Sequence, residues 1–323
     1  MNNHKRIPAS LRVAAVLLAT VLFAAGCAKK EAGQPSFNSP EEAVTAFVGA
    51  LQSGDSAALT RLLGPGTEDL LSSGDAVADK ADRDWFVTAY NAKHSLEADG
   101  ADKMTLSIGD NTWPMPIPIV KRDGKWVLDG AAGADEIVYR RVGNNELGAI
   151  DVCRGFVSAQ TEYASQGRDG DPAGIYALKL ISDEGMHNGL YWPTTEDEPG
   201  SPAGPFVAAA AGEGYRAAEG GGRIPYHGYY YRMLFKQGTN ANGGAKEYFK
   251  DGLLTEGFAL VAWPADYGSS GVQTFIINPD GVVFQKDLGE DTATAADSIQ
   301  SFDPDSSWIA IAPPAEESAT PAA

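Results

Sequence analysis

Three histidines follow the first thirty residues, His94, His187 and His227, and they stand too far apart for the paired helical spacing of a zinc site. Each therefore reads as an ordinary surface or core histidine. Gly268-Ser269-Ser270-Gly271 contains serine between glycines but not the Gly-x-Ser-x-Gly elbow that lifts a nucleophile above a sheet, and no His–Asp pair can be assigned to it. It reads as a loop. Gly212-x-Gly214-x-x-Ala217 fits a dinucleotide fingerprint only superficially, because no strand precedes it. Asp169 with Asp171, or Glu196 with Asp197 and Glu198, could offer hard oxygens to calcium, but neither group follows a calcium-loop pattern and solvated carboxylates are the default in so acidic a chain. No metal and no cofactor is expected, and no catalytic residue is assigned.

The aromatic residues are the remaining candidates. Trp85, Tyr90, Trp113 and Trp126 could line a ligand pocket in the first half of the chain, or simply fill its core. Tyr226, Tyr229, Tyr230 and Tyr231 must face both sides of one strand, so at least one of them is expected at the surface, where an exposed tyrosine suits a protein interface.

The elements that would carry these residues start with a processing signal. Lys5, Arg6 and Arg12 precede an apolar run from Val13 to Ala25, too short to be a permanent span, which closes on Ala24-Ala25-Gly26-Cys27. This arrangement resembles a bacterial lipoprotein signal, cut between Gly26 and Cys27. The resemblance implies that the Cys27 thiol is acylated and that lipid ties the protein to the cell envelope, at the outer membrane and facing the periplasm. Residues 28–36 read as a flexible polar tether. Cleavage removes three of the 25 basic residues and none of the 43 acidic ones, so the formal charge of −18 becomes −21. That field repels nucleic acid, keeps the body off anionic lipid and favours solubility. With Cys27 acylated, Cys153 is the only thiol left, and no internal disulfide can form.

Ser39-Pro40-Glu41-Glu42 is a helix start, with a serine cap and proline at the first position. Val44, Phe47, Val48 and Leu51 follow on one face, and Gly54 ends the helix. Asp55 can cap a second helix bearing Leu59, Leu62 and Leu63, and a third pattern runs from Asp84 to Leu96. Strands follow: Met104, Leu106 and Ile108 alternate with polar residues, and 117–120 pairs with 125–128 through Asp123-Gly124. The most regular helix spans about Asn145 to Gln166, with Cys153 at the centre of its apolar face, where a thiol behaves as a small hydrophobe. Residues 167–222 should be mostly irregular, with a short helix at 206–211. Strands then follow at 228–235, 258–263 and 272–277, the last turning at Asn278-Pro279-Asp280-Gly281. The reading is α+β, divided into a signal (1–26), a lipidated tether (27–37), an N-terminal domain (38–137), a second domain (138–312) and a disordered tail (313–323).

The order of elements over roughly 38–135 resembles the cone of nuclear transport factor 2-like domains, with its Gly54-Asp55 turn between helices. The helix "NNELGAIDVCRGFVSAQTEYAS", followed by "YHGYYYRM" and "GFALVAWPADYGSSGVQTFIINPDGVVFQKDLG", resembles the globular part of type IV pilins and pseudopilins. It departs from them in the polar, glycine-rich "GAAGADEIVYRRVG" where a pilin has its greasy polymerising stem. Taken whole, the chain is similar to the bacterial lipoprotein family of domain of unknown function 2950, through the segment from Trp113 to Val152, "GLYWP", and the block from "GYYYRML" to "FQKDLG". These resemblances imply a location and a shape. The expected function is a non-catalytic, lipid-anchored binding or assembly module with an envelope protein as partner. Its rivals are a small-molecule receptor using the N-terminal pocket and, third, an envelope hydrolase.

Overall fold

Ser39 caps the first helix, α1 (Pro40–Ser53), by accepting the Glu42 N–H at 3.2 Å, and Gly54 closes it with φ of 64°. Asp55 caps α2 (Ser56–Leu63) in turn. These helices and all that follows belong to a computed structural model that describes residues 33–194, 200–213, 215 and 224–312. Gln34 onward forms a single compact unit. Gly26 and Cys27 lie outside the described residues, as do 313–323.

After a 3-10 turn at Glu68–Leu70, α3 runs from Ala76 to Ala92, so it begins and ends earlier than the Asp84–Leu96 pattern suggested. The cause of the early start is the Asp75 carboxylate, which accepts the N–H groups of Val77 and Ala78 at 3.1 Å each. Leu96 instead lies in β1 (His94–Ala98), opposite Leu106 of β2 (Lys103–Ile108). β3 (Trp113–Pro114), β4 (Ile119–Arg122) and β5 (Lys125–Leu128) complete an antiparallel sheet of order β1-β2-β4-β5, with β3 on β2. The β4–β5 turn is made by Asp123 and Gly124, both with positive φ, as a two-residue hairpin demands.

The last residues of the segment read as a tether contact the fold. Phe37 and Trp126 exchange backbone hydrogen bonds of 2.8 and 2.9 Å, and the Gln34 amide donates to the carbonyls of Leu62 and Leu128 at 2.9 and 2.6 Å. Residues 34–37 are therefore docked on the fold.

The next helix, α4, spans 35 residues from Gly130 to Ala164, fifteen ahead of the start expected at Asn145. The boundary placed at 137/138 falls inside it. Two of its glycines, Gly130 and Gly133, are close contact points: a Cβ on Gly133 would stand 2.8 Å from both the Ile117 Cα and the Pro116 carbonyl, so the helix backbone lies directly on the strand connection. Beyond it, β6 (Lys179–Ile181) and β7 (Gly189–Tyr191) form a small parallel pair, and α5 (Gly204–Glu213) follows.

The second large sheet uses β8 (Tyr229–Leu234), β13 (Ala259–Pro264), β14 (Gln273–Ile277), β15 (Phe284–Asp287) and β16 (Ile309–Ala310), antiparallel in the order β16-β15-β14-β13-β8. Between β8 and β13, the two-residue strands β9 (Lys236–Gln237), β10 (Lys246–Glu247), β11 (Phe249–Lys250) and β12 (Leu253–Leu254) pair as two ribbons. A short α6 (Thr292–Ser298) precedes β16.

Three cores result. The first is built by α1, α2, Phe86 of α3 and the first sheet. The second lies between α4, through Ala149, Cys153 and Phe156, and the face of the second sheet bearing Leu260, Ala262, Phe275 and Ile277. The third covers the opposite face, where Val261, Trp263 and Ile276 meet Tyr248, Ala296 and Phe302. Both faces of β13 are therefore buried, which is why it reads as the unbroken apolar run Ala-Leu-Val-Ala-Trp. The molecule is an α+β fold, and the sheets of the described residues form no closed barrel.

Candidate functional site

Of the four aromatics expected around a pocket, two come together. Trp85, on α3, is 48 % exposed, and its ring meets Trp113 of β3 edge-to-face with centroids 5.3 Å apart. Phe86 touches Trp113 from the core side at 6.3 Å. On α4, the Arg140 guanidinium stands 4.8 Å from the centre of the Trp113 ring. It is held there by Glu136 at 2.7 Å and by the Pro114 carbonyl at 3.1 Å. Three elements thus supply one surface cluster of Trp, Trp and Arg. Tyr139, beside Arg140 in sequence, is 70 % exposed.

The other two aromatics are elsewhere. Tyr90 stacks on His94, whose Nδ1 lies 2.9 Å from the Tyr90 carbonyl. Trp126 pairs with Phe37 at the sheet edge, with the Lys121 ammonium 5.7 Å from its ring centre. Tyr90, Trp113 and Trp126 each pack partly buried against the first core. The expected common pocket is not formed by these four residues, because the helices pack Phe47, Leu59, Leu62 and Phe86 against the sheet. Shallow open grooves lie elsewhere among the described residues. One of about 420 Å³ runs between α1 and α2 past Phe37, Gly49 and Arg61. Another of about 540 Å³ is lined by Asp266, Tyr267 and Glu290. Neither includes any of the four aromatics.

The tyrosine strand is not an exposed one. Tyr229 is fully buried and donates its hydroxyl to the Gln273 carbonyl at 2.9 Å. Tyr226, Tyr230 and Tyr231 are partly buried: Tyr231 donates to the Tyr226 carbonyl at 3.2 Å, Tyr230 lies 5.9 Å from Trp263, and Tyr226 meets Tyr215 edge-to-face at 4.9 Å. Two layers cover the sheet on both faces, and that second covering layer is what alternation along one strand could not reveal.

Beneath these surfaces runs a polar seam that sequence reasoning missed. Asp75, only 1 % exposed, spends one oxygen on the α3 cap and accepts with the other from the Tyr215 hydroxyl at 2.7 Å and the Gly228 N–H at 3.1 Å. Arg141 donates to the Leu70 carbonyl at 2.6 Å and the Ser269 hydroxyl at 3.3 Å. Asn145 donates to the Ser270 carbonyl at 2.8 Å, and Glu146 accepts the N–H groups of Val272 and Gln273 at 3.0 Å each. These α4 residues hold the 266–273 loop. The Ser270 hydroxyl is engaged at both ends by the Asp266 backbone. A helix-cap pattern at Asp75 was the available signal; its distant partners, 140 and 153 residues on, carried none.

His187 has an acidic partner, Asp169. His227 sits in a turn, its ring centroid 4.1 Å from that of Tyr226. Among the described residues no three His, Cys, Asp or Glu side chains are placed to share a metal ion. Glu196, Asp197, Glu198, Gly214 and Ala217 lie outside the described residues. Cys153 is fully buried in the second core, and burial pushes its thiol up to about 12. Such a thiol is a packing group rather than a nucleophile.

The chain is thus an α+β protein whose polar groups mainly brace its own loops and whose most distinctive exposed feature is a Trp–Trp–Arg cluster. Residues 34–311 match the family described as Protein of unknown function (DUF2950), and the chain belongs to it. No curated protein and no solved structure matches it.

Proposed function

We propose that the chain is a non-catalytic, lipid-anchored protein of the cell envelope that works as a binding or assembly module and engages a protein partner through Trp85, Trp113 and Arg140. The anchor reading is supported by the signal-like residues 1–27 and their small-residue stretch before Cys27. The binding reading is carried by one observation: an indole 48 % exposed, set edge-on against a second indole that a pinned guanidinium covers. Trp, Tyr and Arg dominate the energetics of protein interfaces. Arg140 is already ordered by Glu136 and Pro114, so little side-chain freedom is lost on docking. Engagement of Ser270, Asp75 and Tyr229 in internal hydrogen bonds favours a non-catalytic protein over a hydrolase.

A photo-crosslinking residue at position 85, in intact cells, tests this. The expected result is a discrete protein adduct that Arg140→Ala reduces several-fold. An adduct pattern identical to that from exposed position 45 on α1 would overturn the assignment of the surface. Cys27→Ser should yield a precursor that takes up no labelled fatty acid; normal acylation of that variant would remove the anchor from the proposal.

A further inference from the structure

The corner beyond the C-terminal end of α4 contains a cation whose two terminal nitrogens make no hydrogen bond among the described residues. Arg168 donates its Nε to the Tyr163 carbonyl at 3.3 Å, and its guanidinium carbon lies 5.0 Å from the Tyr163 ring centre and 4.9 Å from that of Trp192. Two aromatic rings therefore fix the group, and among the described residues Arg168 makes no ion pair within 4 Å. Beside it, His187 packs on the same indole, with ring centroids 4.8 Å apart. The Asp169 carboxylate accepts the His187 backbone N–H at 2.6 Å and lies 2.8 Å from Nδ1, and the Tyr163 hydroxyl donates to the His187 carbonyl at 2.6 Å. With Nδ1 turned to the carboxylate, Nε2 is the ring nitrogen left for an outside group. The side chain is 46 % exposed.

The geometry points to an oxyanion site at this corner, in which the Arg168 guanidinium, joined by His187 Nε2–H when the imidazole carries both protons, holds a phosphate or carboxylate group. A planar guanidinium matches such groups with two parallel N–H donors, and charge-assisted bonds of this kind are the strong ones. The nearby acids are Asp169, which His187 occupies with two hydrogen bonds, and Asp171 on the same turn. In a chain of formal charge −18 the overall field does not draw anions in, so binding has to come from this local pair of donors.

The test is a titration of the full chain followed by the His187 Cε1–H NMR signal, at constant ionic strength near pH 6. Inorganic phosphate, acetate, and vesicles with or without phosphatidylglycerol are the probes. A saturable shift, weakened about tenfold by Arg168→Gln without loss of the folded spectrum, is expected. Saturation by inorganic phosphate or acetate supports the site for a free oxyanion. Saturation only by phosphatidylglycerol vesicles, again dependent on Arg168, supports it with a lipid headgroup as the source. Absence of saturation with every probe, or equal affinity in Arg168→Gln and the parent, overturns the proposal.

Discussion

A single carboxylate, Asp75, accepts four hydrogen bonds while almost entirely out of water: two from the first turn of α3, one from Tyr215 and one from Gly228. Its removal does more than delete bonds, because it takes the carboxylate acceptor away from the Tyr215 hydroxyl and the buried Gly228 N–H. Asp75→Ala should lower the unfolding free energy by about 2–6 kcal/mol, at about 1–3 kcal/mol for each buried donor that loses its acceptor. Tyr215→Phe deletes one donor and leaves three, and should cost about 1–2 kcal/mol. Urea unfolding followed by circular dichroism checks both. If Asp75→Ala proved no more damaging than Tyr215→Phe, water would have to replace the carboxylate and the seam would not be a brace.

Glycine carries opposite meanings at the level of elements, and α4 shows which one applies. In the sequence, "GAAGADEIVYRRVG" is polar and glycine-rich and lies ahead of the helix expected from Asn145, and glycine weakens helices by up to about 1 kcal/mol each. In the fold the same residues give a helix its closest approach to a neighbouring backbone, at Gly130 against the Leu63 carbonyl and Gly133 against Ile117. Gly133→Val should therefore destabilise the protein by about 1–3 kcal/mol through overpacking, despite valine's better helix propensity. A thermal melt unchanged by that substitution would show that the helix can move aside. The α1 and α2 caps, the Asp123-Gly124 hairpin and β13 and β14 were all legible because their signals are local: Ser39, Asp55, a two-residue turn and short apolar runs. The early start of α3, the forward half of α4 and the burial of Tyr226 to Tyr231 were not, because each is decided by partners far away in the chain. The same holds for the site: Trp85 and Trp113 were visible as residue types, but Arg140 joins them only when α4 is continuous past residue 137.

At the scale of the whole molecule, α4 is the common member of both halves. Its first turns lie on the first sheet, where Gly133 and the partly buried Ile137 pack, and its later turns lie on the second, where Cys153 and Phe156 pack. A pilin polymerises by offering the leading half of its long helix to other subunits, and here one face of that half, at Gly130 and Gly133, is taken up by Leu63, Thr67, Pro116 and Ile117 of its own chain. The purified protein should accordingly sediment as a monomer or small oligomer, and regular filaments in electron micrographs would contradict this. The acidic surface works in the same direction, since like charge of this size opposes close self-association.

The docking of Gln34 and Phe37 also bears on how the molecule would carry a load. A pull arriving at residue 34 would meet the carbonyl of Leu62 at the end of α2, the carbonyl of Leu128 at the end of β5, and the paired backbone of Trp126. Tension would be spread over a helix end and a strand at once, so the body would resist being peeled open from its leading end.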